Sequence, residues 1–191
     1  TPGRWFTTPA MMELERETID RMHAGQEQHA ELVTEATREA IAREYARLNE
    51  SQRGAAQEIL TNGDQVMALE GTAGTGKTTA LAAIRDAAER EGYDVEGFAP
   101  TSRAVHKLAE SGIESITLQR HLTRGEEDVL ATDQKRLYVL DESSLAGTKQ
   151  MHTFLERLGP EDRVLLVGDA AGIVSPLTAG GLDPCMRLST L

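Results

Sequence analysis

Val66-Met67-Ala68-Leu69-Glu70-Gly71-Thr72-Ala73-Gly74-Thr75-Gly76-Lys77-Thr78-Thr79 is an apolar run followed by a glycine-rich turn. Residues 71–78 satisfy G-x-x-x-x-G-K-[ST] without a mismatch, and an alanine-rich helix is expected from about Lys77 to Arg90. Gly71, Gly74 and Gly76 let the backbone turn where side chains would clash. The loop amides then face inward as an anion cup, and the start of the helix adds its positive end. Lys77 reaches the β- and γ-phosphates, and the Thr78 hydroxyl completes the coordination of Mg²⁺. The expected phosphate contacts are therefore Gly71, Thr72, Ala73, Gly74, Thr75, Gly76, Lys77, Thr78 and Thr79. A functionless glycine turn is the competing reading. Three glycines, the Lys-Thr pair and both flanking elements speak against it.

Outward from this loop, short apolar runs alternate with helical stretches. Val95 to Ala99, Leu137 to Leu140 and Val164 to Val167 read as strands, Ser102 to Ala109 and about Leu145 to Leu158 as helices, with Gly92 as a helix stop. Unbroken apolar strands alternating with helices predict an α/β fold, a parallel sheet covered on both faces. Residues 1 to about 48 read as a helical N-terminal extension. Thr7-Thr8-Pro9 is a helix start, Met11, Leu14, Ile19 and Met22 form an apolar stripe, and Gly25 interrupts it. Val33, Thr37, Ala40, Ile41, Tyr45 and Leu48 follow at helical spacing. This extension packs either on the following domain or on a partner. Gly125-Glu126-Glu127-Asp128 reads as a solvated loop.

Composition narrows the partners. The chain has 191 residues, 39% hydrophobic and 27% charged, which is globular. No apolar run approaches membrane-spanning length, so no membrane insertion is expected. No N-terminal stretch has the layout of a signal peptide, and the single Cys185 excludes an internal disulfide or a Cys-rich zinc site. A cytoplasmic location is the default. The net charge of -11 does not pull the chain onto DNA, so any nucleic-acid contact needs a local groove with its own cations. With 4% aromatic residues, an extended base-stacking platform is not expected.

A second station follows Leu137-Tyr138-Val139-Leu140. Asp141-Glu142-Ser143-Ser144 places two carboxylates at the carboxyl end of a buried strand, where ligands of parallel sheets sit. Asp141 suits the Mg²⁺ hydration shell, and Glu142 the orientation and deprotonation of an attacking water. Alone, the pair also reads as a helix cap. Together with the phosphate loop it reads as the other half of a nucleotide site.

The spelling Gly-Thr-Ala-Gly-Thr-Gly-Lys-Thr-Thr resembles motif I of superfamily 1 DNA helicases. Leu48-Asn49-Glu50-Ser51-Gln52-Arg53 looks like the Q motif, and Ala99-Pro100-Thr101-Ser102-Arg103-Ala104 like motif Ia. Ile116-Thr117-Leu118-Gln119-Arg120-His121-Leu122 is similar to motif Ib, Asp141 to Ser144 to motif II, and Leu166-Val167-Gly168-Asp169 to the start of motif III. Within that superfamily the likeness is to the RecD-like helicase part of conjugative relaxases. There a stretch similar to Phe6 to Met11 with Glu15 precedes the helicase core. The resemblance implies a RecA-like ATPase domain over 49–172, after an extension over 1–48 and before an atypical tail over 173–191. It implies ATP and Mg²⁺ as ligands, Gln52 at the adenine edge, and Thr101, Ser102 and Arg103 on single-stranded DNA. Contact with conjugation machinery follows from the same likeness.

The residues themselves leave alternatives. Gln52 lies on a helical stretch and is equally an exposed side chain. Thr101 and Ser102 equally cap the helix that starts there. Arg103 and Lys107 stand four apart on one helix face and supply local positive charge. Trp5 and Phe6 read as a hydrophobic anchor. His23, His29, His106, His121 and His152 show no metal spacing and read as surface or capping residues.

The sequence also departs from the family pattern. Motif III carries a glutamine where this chain has Gly172, and a hydrogen side chain cannot contact a phosphate. The second RecA-like domain, which supplies arginine fingers, is not expected after that point. Three functions follow as expectations. The leading one is the first motor domain of a conjugative relaxase/helicase. A catalytically impaired nucleotide-binding fragment is the alternative. A small P-loop kinase is the third, set back by the acidic stretch around Arg124 and Arg136 where an arginine-bearing lid would lie.

Overall fold

The apolar runs are strands of one parallel sheet. The computed structural model describes residues 8–71, 76–124, 134–168 and 185–188. In chain order the elements are α1 (Pro9–Ala24), α2 (Glu35–Glu44), α3 (Glu50–Thr61), β1 (Val66–Gly71), α4 (Lys77–Arg90) and β2 (Asp94–Ala99). These are followed by α5 (Ser102–Ala109), β3 (Glu114–Thr117), α6 (Leu118–Thr123), β4 (Arg136–Leu140), α7 (Thr148–Glu156), β5 (Arg163–Gly168) and β6 (Cys185–Leu188). Across the sheet the order is β3-β2-β4-β5-β1-β6. Every pairing is parallel, with Leu69 opposite Val167 and Leu140 opposite Leu166.

Alternation along the strands divides the core into two layers. Met67, Leu69, Val95, Leu137, Val139, Leu165 and Val167 face α2, α3, α4 and Leu108 of α5. Phe98, Tyr138, Leu140, Val164 and Leu166 face the other way, against Leu118 of α6, Phe154 of α7 and Met22 of α1. Both faces are covered, which is why the strands read as unbroken apolar runs. Four of the five alanines of α4 (Ala80, Ala83, Ala87, Ala88) are fully buried, so this helix sits close on the sheet.

The N-terminal helices belong to these layers. Thr8 caps α1 by accepting from the Met11 amide at 3.2 Å, Pro9 opens the helix, and Gly25 closes it. Glu17 of α1 meets His152 of α7 at 2.8 Å. Tyr45, just past α2, donates its hydroxyl hydrogen to Asp86 of α4, and Arg90 holds Glu44 with two hydrogen bonds. The start of β5 is tied to this region by Arg163, whose buried guanidinium donates to the carbonyls of Asp64 (2.7 Å), Asn62 (2.8 Å) and Ala30 (3.3 Å).

Three stretches differ from the sequence expectation. The helix expected over 145–158 is a 3₁₀ turn, Ser143–Leu145, then a break and α7 from Thr148. The break is held by the Gln150 side chain accepting from the Gly147 amide at 3.2 Å. Residues 114–123, read only as a loose motif, form β3 and α6. A sixth strand, β6, pairs with β1 inside the stretch expected to be an atypical tail. Trp5, Phe6, Asp169, Gly172 and the Gly125-to-Asp128 loop lie outside the described residues.

Candidate active site

Three segments converge at the carboxyl ends of the central strands. β1 ends at Gly71, β4 leads into Asp141 and Glu142, and β5 ends at Gly168. After β1 the chain crosses β5 and β4 to reach β2, whereas β6 lies on the other side of β1. The connections diverge here, the place where open α/β sheets leave a crevice.

Lys77 is the first residue of α4. Its ammonium donates to the Gly71 carbonyl at 2.5 Å, bridging the two ends of the phosphate loop. Thr72, Ala73, Gly74 and Thr75 lie outside the described residues. Gly76 is the N-cap of α4 at φ 79°, a left-handed conformation that glycine adopts without penalty. A β-carbon there would collide with the Gln52 carboxamide. Gln52 itself is doubly engaged. Its Oε1 accepts from the Asn49 amide at 3.1 Å, closing a capping box on α3, and its Nε2 donates to the Gly76 carbonyl at 3.4 Å. Gln52 therefore lies against the end of the glycine-rich loop.

Asp141 continues the ladder one residue past β4, its amide donating to the Phe98 carbonyl at 2.8 Å. Its Oδ1 accepts from the Glu142 amide at 2.9 Å. Glu142 turns left-handed, φ 50° and ψ 39°, before the 3₁₀ turn. A non-glycine residue there costs about 1–3 kcal/mol and marks a position over-determined by its surroundings. Leu145, at the end of this turn, is 63% exposed at the rim.

Lys77, Thr78, Asp141 and Glu142 line one cleft of about 260 Å³ together with Gly168, Leu81 and Leu108. The structure thus brings the two halves of the sequence-expected site together. The cleft also takes in Lys107 and Ser111 from α5 and its end. The sequence reading takes Lys107 with Arg103 as local positive charge on one face of α5. Nothing in the local pattern marks one exposed lysine as facing a cleft.

The DNA-contact candidates lie apart from this lining. The Thr101 hydroxyl caps α5 by accepting from the Ala104 amide at 3.2 Å. Ser102 and Arg103 are exposed on the first turn of α5, with no side-chain partner among the described residues. One histidine corrects the sequence reading. His121 is buried at 3% exposure rather than at the surface. Its ring lies 4.3 Å from Phe98 and 5.7 Å from Phe154 between centroids. Burial, and then the charges of Arg157, Arg124 and Arg136, push its pKa down to about 4.

The donor set fits a magnesium triphosphate. Among the described residues no cluster of three His, Cys, Asp or Glu side chains is placed to hold a metal ion. One carboxylate, Asp141, and one hydroxyl, Thr78, beside the Lys77 ammonium suit an ion whose other ligands are phosphate oxygens and water.

Residues 47–182 match the AAA domain family. The chain belongs to it. This AAA domain is similar to the conjugal transfer protein TraA of Agrobacterium fabrum, 34% identical over 94% of the chain and 16% of that protein. It is similar to the probable conjugal transfer protein TraA of Sinorhizobium fredii, 32% identical over 92% of the chain and 16% of the relative. The ATP-dependent RecD2 DNA helicase of Deinococcus radiodurans is 36% identical over 62% of the chain and 17% of the helicase. These relatives bear out the resemblance to the RecD-like part of conjugative relaxases. The chain spans about a sixth of the length of the relatives it matches. Among the described residues no helix is long and apolar enough to cross a membrane.

Proposed function

We propose that this AAA domain is the ATP-binding first motor domain of a conjugative relaxase/helicase, whose whole chain couples ATP hydrolysis to movement along single-stranded DNA. The observation that carries this reading is the convergence of Lys77, Thr78, Asp141 and Glu142 on one cleft from two distant segments.

Lys77 exchanges the Gly71 carbonyl for the β- and γ-phosphate oxygens. The amides of Gly71 to Thr79 cradle the phosphates. Thr78 and Asp141 hold Mg²⁺, which when bound supplies positive charge to the phosphate oxygens. Glu142 orients the attacking water and accepts its proton. Gln52 turns its carboxamide from Gly76 to the adenine edge. Thr101, Ser102 and Arg103 at the start of α5 meet the DNA backbone. A second RecA-like domain completes the site in the whole protein, and conjugation machinery is its setting.

The experiment is ATP hydrolysis by the purified chain and by Lys77→Ala, with and without single-stranded DNA. The variant is expected to stay folded by circular dichroism and to lose nucleotide binding and turnover. Hydrolysis by the variant at the wild-type rate would contradict the assignment.

A second reading is a nucleotide-binding module without useful turnover. Gly172, standing where motif III carries glutamine, favours it. It predicts intact ATP binding with near-background hydrolysis that DNA does not stimulate.

A further inference from the structure

We propose that the cleft takes nucleoside triphosphates with little selection between bases, because Gln52, the residue assigned to the base, already engages both ends of its carboxamide with the protein. This rests on the nucleotide reading given above and names the breadth of its substrate class. In that reading Lys77, Thr78, Asp141 and Glu142 address phosphate, Mg²⁺ and water, which are common to every nucleoside triphosphate. Discrimination between bases falls to Gln52.

The carboxamide has a defined seat. Its Oε1 accepts from the Asn49 amide at 3.1 Å, and the Gln52 amide in turn donates to Asn49 Oδ1 at 2.8 Å. Its Nε2 donates to the Gly76 carbonyl at 3.4 Å, and the side chain lies so close on Gly76 that no β-carbon fits there. The turn before Asn49 is itself fixed, since Arg53 donates to the carbonyls of Ala46 at 3.2 Å and Leu48 at 3.0 Å. Ile59 and Leu60, both buried, anchor the far end of α3.

This seat sets the selectivity. An adenine edge offers an amino donor beside a ring acceptor, and a carboxamide meets them with two hydrogen bonds. To make them, Gln52 gives up its bonds to Asn49 and Gly76. Two neutral hydrogen bonds then replace two others, and the net gain is small. Guanine presents two acceptors along the matching edge, and a carboxamide cannot pair with both. With guanine, Gln52 keeps its seat, so it loses nothing and gains nothing. The advantage of ATP over GTP is therefore the difference between two comparable pairs of bonds.

The test is equilibrium competition of ATP, GTP, CTP and UTP, each with Mg²⁺, for wild type, Lys77→Ala and Asn49→Pro. Wild type is expected to bind the four within about tenfold of one another. ATP bound more tightly than GTP by a wider margin would overturn the proposal while the cleft reading stands. Wild-type protein with no affinity for any of the four, or full binding by Lys77→Ala, would remove both. Asn49→Pro takes away the amide hydrogen that holds Oε1, at a backbone φ of -66° that proline adopts. Retained GTP affinity shows that this variant is folded, and its preference for ATP over GTP is expected to rise about fivefold. A rise below about twofold would overturn the seat as the cause. Should the variant fail to fold, the wild-type ratio decides alone.

Discussion

At the scale of single residues, Glu142 combines a proposed chemical role with a backbone constraint. Its left-handed turn directs the chain away from β4 immediately after Asp141. Glu142→Gln keeps the shape and removes the basic oxygen. It is expected to bind Mg²⁺-ATP as wild type does and to lose about 100-fold or more in turnover, measured by phosphate release. Unchanged turnover would remove Glu142 as the base. That Lys77, Thr78, Asp141 and Glu142 share one cleft was legible in the sequence, because each stands where a patterned strand or helix begins or ends. Lys107 was not, since its place depends on which strand α5 follows across the sheet. Gln52 was half legible. Its type suited an adenine edge, but its capping box and its contact with Gly76 appear only when α3 and the loop are adjacent.

At the scale of elements, α6 carries a titratable group in an apolar layer. His121 packs among Phe98, Tyr138 and Phe154, and its Nδ1 is buried with no hydrogen-bond partner among the described residues. The folded state holds the imidazole neutral down to about pH 4, whereas an ordinary histidine binds a proton near 6.5. The unfolded chain thus takes up a proton that the folded chain refuses. Its contribution is fully present above pH 6.5 and is lost as pH falls toward 4, by about 3 kcal/mol. His121→Phe removes this loss, so its stability advantage over wild type in urea melts is expected to grow between pH 7 and pH 4.5. A constant difference would contradict the buried neutral state. The elements expected from periodicity, α4 and α5, kept their bounds. β3 and α6 did not announce themselves, because Glu114 to Thr117 has no apolar run and α6 has only six residues. The expected helix over 145–158 began late because the Glu142 turn and the Gly147 cap are backbone events that hydrophobic spacing does not encode.

At the scale of the whole molecule, the sheet and the N-terminal helices form one packed unit, and Arg163 helps join them. It is fully buried at the start of β5, and burial lowers its pKa. Its three backbone acceptors lie on residues 30, 62 and 64, so Arg163→Met takes the donor from the buried Asp64 carbonyl and from the part-buried bonds to Asn62 and Ala30. The expected cost is about 3 kcal/mol or more in urea-unfolding free energy. A loss under about 1 kcal/mol would show that the arginine is dispensable. The α/β fold was readable because strands buried on both faces leave apolar runs. The packing of the extension was open, since an apolar stripe such as Met11 to Met22 does not say what covers it. Everything functional here depends on a loop and a carboxylate corner meeting around a triphosphate. Isothermal titration calorimetry of the folded chain with Mg²⁺ and ATP tests that directly. The account predicts saturable heat with one site per chain, abolished by Lys77→Ala; a well-folded wild-type sample that gives no heat of binding, by itself and against a competing labelled nucleotide, would contradict it.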